Sequence, residues 1–179
     1  MGTYGPGPIG DGWTVTAGDI IVTNSTSFGG APHSGNQFVY LDYAFTLNTL
    51  AQTLTTVAGQ SYTVSFWLAD DAPNAVVVKF GNQILFSGTA PTNGVASSSN
   101  YVNYSFTATA TSTSTVLSIS GQYLTDAEGF GTILDDVSVT PTGSGPLPAT
   151  PAPKSLYLCL IGLAGLGWYA ATVKRRQLS

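Results

Sequence analysis

The sequence predicts an all-β fold, an antiparallel two-sheet sandwich of the jelly-roll kind, followed by a linker and a single C-terminal transmembrane helix. Three observations predict it. From Gly12 to Val139, short runs of alternating apolar and polar residues are broken by Gly, Asn, Pro and Ser clusters, the period-two signature of half-buried strands. No window before the tail keeps a helical period. Ser155–Val173, SLYLCLIGLAGLGWYAATV, is 19 residues without a charge; at about 1.5 Å per residue it reaches roughly 28 Å, close to a bilayer's apolar thickness of about 30 Å.

Ten strands are expected: Gly12–Thr16, Ile20–Thr23, Phe38–Tyr43, Thr49–Thr55, Tyr62–Ala69, Ala75–Phe80, Ile84–Ser87, Tyr101–Ala108, Val116–Gly121 and Thr132–Val139. Phe80-Gly81-Asn82-Gln83-Ile84 reads as a hairpin turn. In Tyr62–Ala69 alternation puts Tyr62, Val64, Phe66 and Leu68 on the core face and Trp67 opposite, with Thr63 and Ser65. In Phe38–Tyr43, Val39, Leu41 and Tyr43 face the core, leaving Phe38, Tyr40 and Asp42 on the other side. In the last strand Ile133, Asp135, Val137 and Val139 share a face, so Asp135 points where apolar residues point. A carboxylate there needs a partner or a cation.

The charges are segregated. All nine acids precede the linker, alongside one base, Lys79, so this part of the chain carries a formal −8. It has no Arg and offers phosphates no basic surface, which excludes nucleic acid as a partner. Residues 1–140 are the sandwich, 141–154 a Pro-rich linker with a sorting motif, 155–173 the span and 174–179 a basic tail. Trp168 and Tyr169 sit near the far end of the span, and Lys174, Arg175 and Arg176 follow it, which predicts a cytoplasmic C-terminus and an exported domain. Cys159, the only cysteine, lies inside the span, so no intrachain disulfide forms. The first eight residues lack the basic and apolar regions of a signal peptide.

Gly12-Trp13-Thr14-Val15, Gln52-Thr53-Leu54, Val57–Phe66, Tyr104–Thr109 and Ile133–Val139 together resemble a galactose-binding-like jelly roll over about residues 10 to 140. That fold is common in carbohydrate-binding modules. The opening strand usual in such domains, ahead of the Gly-Trp, is not recognisable here, so a missing start is expected. The tail resembles the exosortase-linked PEP-CTERM sorting signal in its Pro-containing motif (Pro146, Leu147, Pro148, Ala149, or Pro151 with Pro153), its Gly-Leu span and its basic stop. Pro-Glu-Pro itself is absent, with Ala152 where the Glu would stand. Leu147-Pro148-Ala149-Thr150 also resembles a sortase signal, but Pro151 replaces the required Gly. The resemblance implies an inner-membrane precursor in a Gram-negative bacterium, cut by an exosortase-type enzyme and released to the surface or beyond. Permanent tail-anchoring is the rival reading.

Little in the sandwich suggests catalysis. His33 sits in the loop Gly29–Gly35 with no nucleophile elbow and reads as an exposed loop residue. The adjacent pairs Asp70-Asp71 and Asp135-Asp136 would point to opposite faces of a strand, so neither is built to flank one glycosidic bond. Oxygen ligands from Asp42, Asp70, Asp71, Asp126 and Glu128 would suit calcium, though without EF-hand spacing. Similar jelly rolls hold a structural calcium through an Asp at the position of Asp135; the alternative is an Asp that accepts hydrogen bonds from loop amides.

For a sugar, the useful chemistry is an aromatic face for the pyranose C–H side, rimmed by groups that bind hydroxyls. Trp67 and Tyr40 on the second face, with Asp42, Asn36 or Gln37 nearby, are the candidates. The alternative is that this face is covered and buries both rings. The reading is an exported, non-enzymatic, carbohydrate-binding sandwich associated with exopolysaccharide or biofilm matrix. A structural matrix protein without sugar binding and a small envelope hydrolase are its alternatives.

Overall fold

The computed structural model describes residues 2–24, 30–43, 46–70, 72–92, 100–124 and 131–143, the side chains of 42 and 43 excepted. The chain divides into two compact units, Met1–Gly145 and Pro146–Ser179. Everything described lies in the first. The span, the proline motifs, Cys159 and Lys174 to Arg176 lie outside the described residues, among which no helix is long and apolar enough to cross a membrane.

Among the described residues twelve strands form the sandwich: β1 Gly2–Tyr4, β2 Gly7–Gly10, β3 Trp13–Ala17, β4 Asp19–Thr23, β5 Phe38–Tyr43, β6 Asn48–Thr55, β7 Ser61–Ala69, β8 Ala75–Phe80, β9 Gln83–Thr89, β10 Val102–Thr109, β11 Ser114–Gln122 and β12 Ile133–Thr142. They make two six-stranded sheets, one in the order β1-β4-β5-β12-β7-β10 and the other β2-β3-β6-β11-β8-β9. Every named strand pair is antiparallel. The expected all-β, two-sheet antiparallel sandwich is therefore what the chain forms.

The ten expected strands are all present, two of them with the expected bounds and the others with an end shifted by at most three residues. The two additional ones, β1 and β2, are short edge strands rich in Gly and Pro, which carry no alternation to read. β12 also runs on into the expected linker: Pro141 and Thr142 pair with Tyr62 and Ser61, and Gln60 Nε2 donates to the Thr142 carbonyl at 2.8 Å. The β8–β9 hairpin turns on Gly81 and Asn82, with Gly81 at φ 58° and Phe80 paired to Gln83. A positive φ at the first turn residue matches the twist of the flanking strands, and Gly adopts it without a Cβ clash.

Between the sheets lies the main core, in which Ile20, Leu41, Val64, Phe66, Leu68, Phe80, Leu117, Ile119 and Leu134 are fully or almost fully buried. Leu41 of β5 and Val64, Phe66 and Leu68 of β7 are among the inward positions that alternation assigns. A second apolar cluster sits on the opposite face of the first sheet: Ile21, Phe38, Tyr40, Ala69, Tyr101 and Ile133, with Trp67 packed against it. The face assignments hold in β7 and, in β5, for Phe38 to Leu41, the side chains of Asp42 and Tyr43 lying outside the described residues, but the second face is not open. It is roofed by residues 30–37, which close on it so tightly that a Cβ on Gly30 would stand 2.7 Å from Tyr40 Oη and 3.1 Å from Phe38 Cε2.

β12 departs from the expected face pattern. Ile133 belongs to the second cluster and Leu134 to the main core, whereas Val137 and Val139 pack against the main core. The cause is a bulge: between Asp135 and Ser138 the strand advances three residues while its partner β7 advances two, from Trp67 to Ser65. Asp136, at φ 47°, is the extra residue. One inserted residue reverses every side chain beyond it, so Asp135 and Val137 do not share a face.

Candidate functional site

The bulge decides what the two adjacent carboxylates do. Asp135 Oδ2 accepts the backbone N–H groups of His33 at 2.8 Å and Ser34 at 3.3 Å, and its Oδ1 accepts the N–H of Asp136 at 2.8 Å. Asp136 Oδ2 lies 2.6 Å from His33 Nδ1, and its Oδ1 accepts the Ser34 hydroxyl at 2.6 Å. Strict alternation would send neighbouring carboxylates to opposite faces. The left-handed Asp136 turns both toward one loop instead.

His33 is therefore not a free loop residue. Its ring stacks on Trp67 with centroids 3.9 Å apart and planes at 20°, and it meets Tyr101 edge-on at 5.4 Å. Tyr101 donates its hydroxyl to the Ala31 carbonyl at 2.8 Å. Burial, with the nearby Asp135 second, pushes the Tyr101 phenol well above its ordinary range. Burial also raises the Asp135 carboxyl despite its three amide donors. Hydrogen bonds from His33 and then Ser34 hold Asp136 below the usual carboxylate range. Ser34 gives its hydroxyl to Asp136 rather than to the imidazole, so no Ser/His/Asp relay is assembled.

These contacts correct the expected sugar platform. Tyr40 is only 4% exposed, and the Trp67 ring is covered by His33. Asp42 lies in β5, but its side chain is outside the described residues. Of the acids considered for calcium, Asp71, Asp126 and Glu128 are likewise outside them. Asp70 is 1% exposed and accepts from Ala72 N–H, Asn74 Nδ2 and the Thr132 hydroxyl. Asp135 takes the loop-amide arrangement, and the N–H donors gathered round it are the wrong partners for a cation. Among the described residues no three His, Cys, Asp or Glu side chains gather as a metal site.

An open cleft lies instead at the end of the sandwich, where the edges of the two sheets part. Its volume is about 340 Å³, and its walls include Tyr4, Asp11, Trp13, Gln37, Asp135 and Asp136, over a floor with Leu50, Leu134 and Val137. Trp13 is half-buried, packed on the main core, while Tyr4 is 38% exposed. Asp11 and Gly12 form the two-residue turn between β2 and β3, with φ of 49° and 80°. Asp-Gly with both φ positive is the preferred composition of such a hairpin. Gln52 Nε2 fixes the turn by donating to the Asp11 carbonyl at 2.8 Å. Asp11 and Asp136 are the two non-glycine residues with positive φ among those described, and both line this cleft.

The lining brings together the rings of Trp13 and Tyr4, the Asp11 carboxylate, which has no partner among the described residues, and the Gln37 amide, which suits a ligand with both C–H and hydroxyl surfaces. The reading from sequence missed the cleft because part of its rim comes from β1, β2 and the β2–β3 turn. The Asp11-Gly12 dipeptide was the available signal. Nothing local in the sequence marks Asp136 as a bulge.

Residues 10–140 match a family model described as a protein of unknown function, DUF642. No curated protein matches the chain. Among solved structures, TmCBM61 in complex with β-1,4-galactotriose is similar in fold: identity is 18%, 74% of this chain and 90% of that one are covered, and the TM-score is 0.52. CBM35 from Paenibacillus barcinonensis gives 16% identity over 80% of this chain and 100% of the other, with a TM-score of 0.49. A family 35 carbohydrate binding module from Clostridium thermocellum gives 15% over 67% and 90%, with a TM-score of 0.45. At 18% identity the likeness to the first of these is one of fold, the jelly roll.

Proposed function

The chain belongs to the DUF642 family, and from that premise we propose that its sandwich is a non-catalytic carbohydrate-binding module working outside the cytoplasm. The observation that carries this reading is the cleft, in which Trp13 and Tyr4 stand beside Asp11 and Gln37. A pyranose has an apolar C–H face and a hydroxyl rim, and this wall supplies a partner for each. The fold shared with carbohydrate-binding modules agrees with it. Delivery by the PEP-CTERM-like tail, with release by an exosortase-type enzyme into an exopolysaccharide matrix, completes the proposal and rests on the tail's sequence.

The hydrolase alternative expects convergent carboxylates in a cleft, and Asp11, Asp135 and Asp136 do line this one. Its difficulty is that Asp135 and Asp136 are engaged in holding residues 33 and 34. Of the three, Asp11 alone has no partner among the described residues, and hydrolysis of a glycoside needs a pair.

The test is calorimetric titration of the purified chain with galactan, xylan and hexosamine oligosaccharides. Tyr4→Ala and Trp13→Phe are the variants, since the first leaves the core untouched and the second keeps a ring on it. The expected result is weakening by roughly tenfold for Tyr4→Ala, as for an aromatic anchor lost from an interface, at an unchanged melting temperature. Binding that is unaltered in both variants would move the site elsewhere.

A further inference from the structure

We propose that the ligand of this cleft carries free amines, a hexosamine polymer lacking N-acetyl groups, in preference to a neutral or uronic-acid glycan. The inference rests on the cleft reading above and concerns the charge of what enters.

Three carboxylates, Asp11, Asp135 and Asp136, line the cleft, and no Lys or Arg does. The single base of the whole β-unit, Lys79, sits exposed in β8, a strand that contributes nothing to the cleft. The carboxylates do not act alike. Asp135 is turned to backbone N–H groups, and Asp136 to His33 and Ser34. The Asp11 carboxylate has no partner among the described residues and stands exposed at the rim, one turn residue away from Trp13.

A sugar laid on the Trp13 ring with an ammonium beside it would gain an ion pair with Asp11 and attraction from the ring face. An N-acetylated sugar loses both charge terms and keeps only stacking and neutral hydrogen bonds. A uronate meets the Asp11 carboxylate in a lining that holds no Lys or Arg. The formal −8 of the β-unit extends the preference beyond the contact residues, since the summed field draws in a polycation and repels a polyanion.

The experiment compares the tetramer of glucosamine, the tetramer of N-acetylglucosamine and the tetramer of galacturonate against the full chain in a neutral detergent at about pH 6. The expected order is amine, then acetylated, then uronate. An exposed ion pair should give the amine about a three- to tenfold advantage over the acetylated form. The advantage should shrink between ~0.02 M and ~0.5 M salt as the screening length falls below the width of the cleft. Asp11→Asn, which accepts the left-handed backbone of the turn, should bring the ratio of the two affinities toward one. Acetylated oligomer bound as tightly as amine, or uronate bound best, overturns the amine preference while leaving a sugar site in place. Failure of all three tetramers where galactan or xylan oligosaccharides bind also overturns the amine preference, and failure of every oligosaccharide overturns the cleft reading itself. An amine preference that survives Asp11→Asn undiminished overturns the role given to Asp11.

Discussion

Asp135 and Asp136 sit side by side yet are pushed in opposite directions, and this sets how the sandwich responds to acid. Asp136 is lowered by its hydrogen bonds from His33 and Ser34. A carboxylate depressed in the folded state stabilises the fold above its unfolded pKa, about 3.9, and that contribution is lost as pH falls through the folded value. Asp135, raised by burial, has the opposite sign: its contribution is greatest at low pH and is lost as pH rises through its folded value. Asp136→Asn keeps a residue tolerant of φ 47°; it removes the first effect, and of the second only the repulsion from Asp136, the smallest of its causes. Thermal unfolding followed between about pH 5 and pH 2.5 should show a shallower loss of stability in Asp136→Asn than in the natural chain. Equal slopes would mean that Asp136 does not hold the loop as its distances imply. Trp67 is the contrasting residue, because His33 covers it: Trp67→Ala should cost about 3 kcal/mol by emptying the second cluster, measured by denaturant unfolding. Glycan affinity should be unaltered in that variant.

At the level of elements, the fold depends on loop 30–37 closing over the first sheet, and Gly30 is where closure is tightest. A Cβ there would meet Tyr40 Oη at 2.7 Å and Ile133 Cδ1 at 3.0 Å. Overpacking of this kind costs about 1–3 kcal/mol. Gly30→Ala should therefore lower the melting temperature by several degrees and shift Trp67 fluorescence as the His33 stack loosens; an unchanged spectrum would argue that the loop is not the roof. This roof also marks the limit of what the residues disclosed in advance. Alternation in β7 placed Val64, Phe66 and Leu68 in the core because the period-two pattern is physical and local. The same alternation put Trp67 and Tyr40 opposite, as they are, but alternation cannot tell a solvated face from one covered by a distant loop. In β12 the pattern failed at a single inserted residue, since a bulge is dictated by the partner strand and by a loop about a hundred residues away. The candidate site suffered most, because part of its rim is built from Gly- and Pro-rich edge strands in which no pattern exists to be read. Of its residues, Trp13, Gln37, Asp135 and Asp136 were noticed: the first as part of a motif, Gln37 beside a different pair of rings, and the two acids with the wrong neighbours.

For the whole chain, the argument turns on how an acidic, base-poor β-unit and an apolar, basic-ended tail belong to one protein. The β-unit closes on itself by Thr142, where Gln60 Nε2 reaches the last strand's carbonyl, and the division of the chain at Gly145 and Pro146 lies just beyond. Cleavage near Pro146 to Pro153 would thus leave every strand intact, which a sorting signal requires and a structural tail does not. The proposed sorting predicts that protein recovered from its own host's medium has lost everything beyond a point between about Pro146 and Ser155. Intact mass spectrometry of each cell fraction reads this directly. The released form should bind the same oligosaccharides as the full chain with unchanged affinity, since no cleft residue lies beyond Val137. Full-length mass confined to the inner membrane would instead make Ser155–Val173 an anchor. The sandwich would then stay tethered to the membrane, and the proposal of a released matrix component would be withdrawn without touching the reading of the cleft.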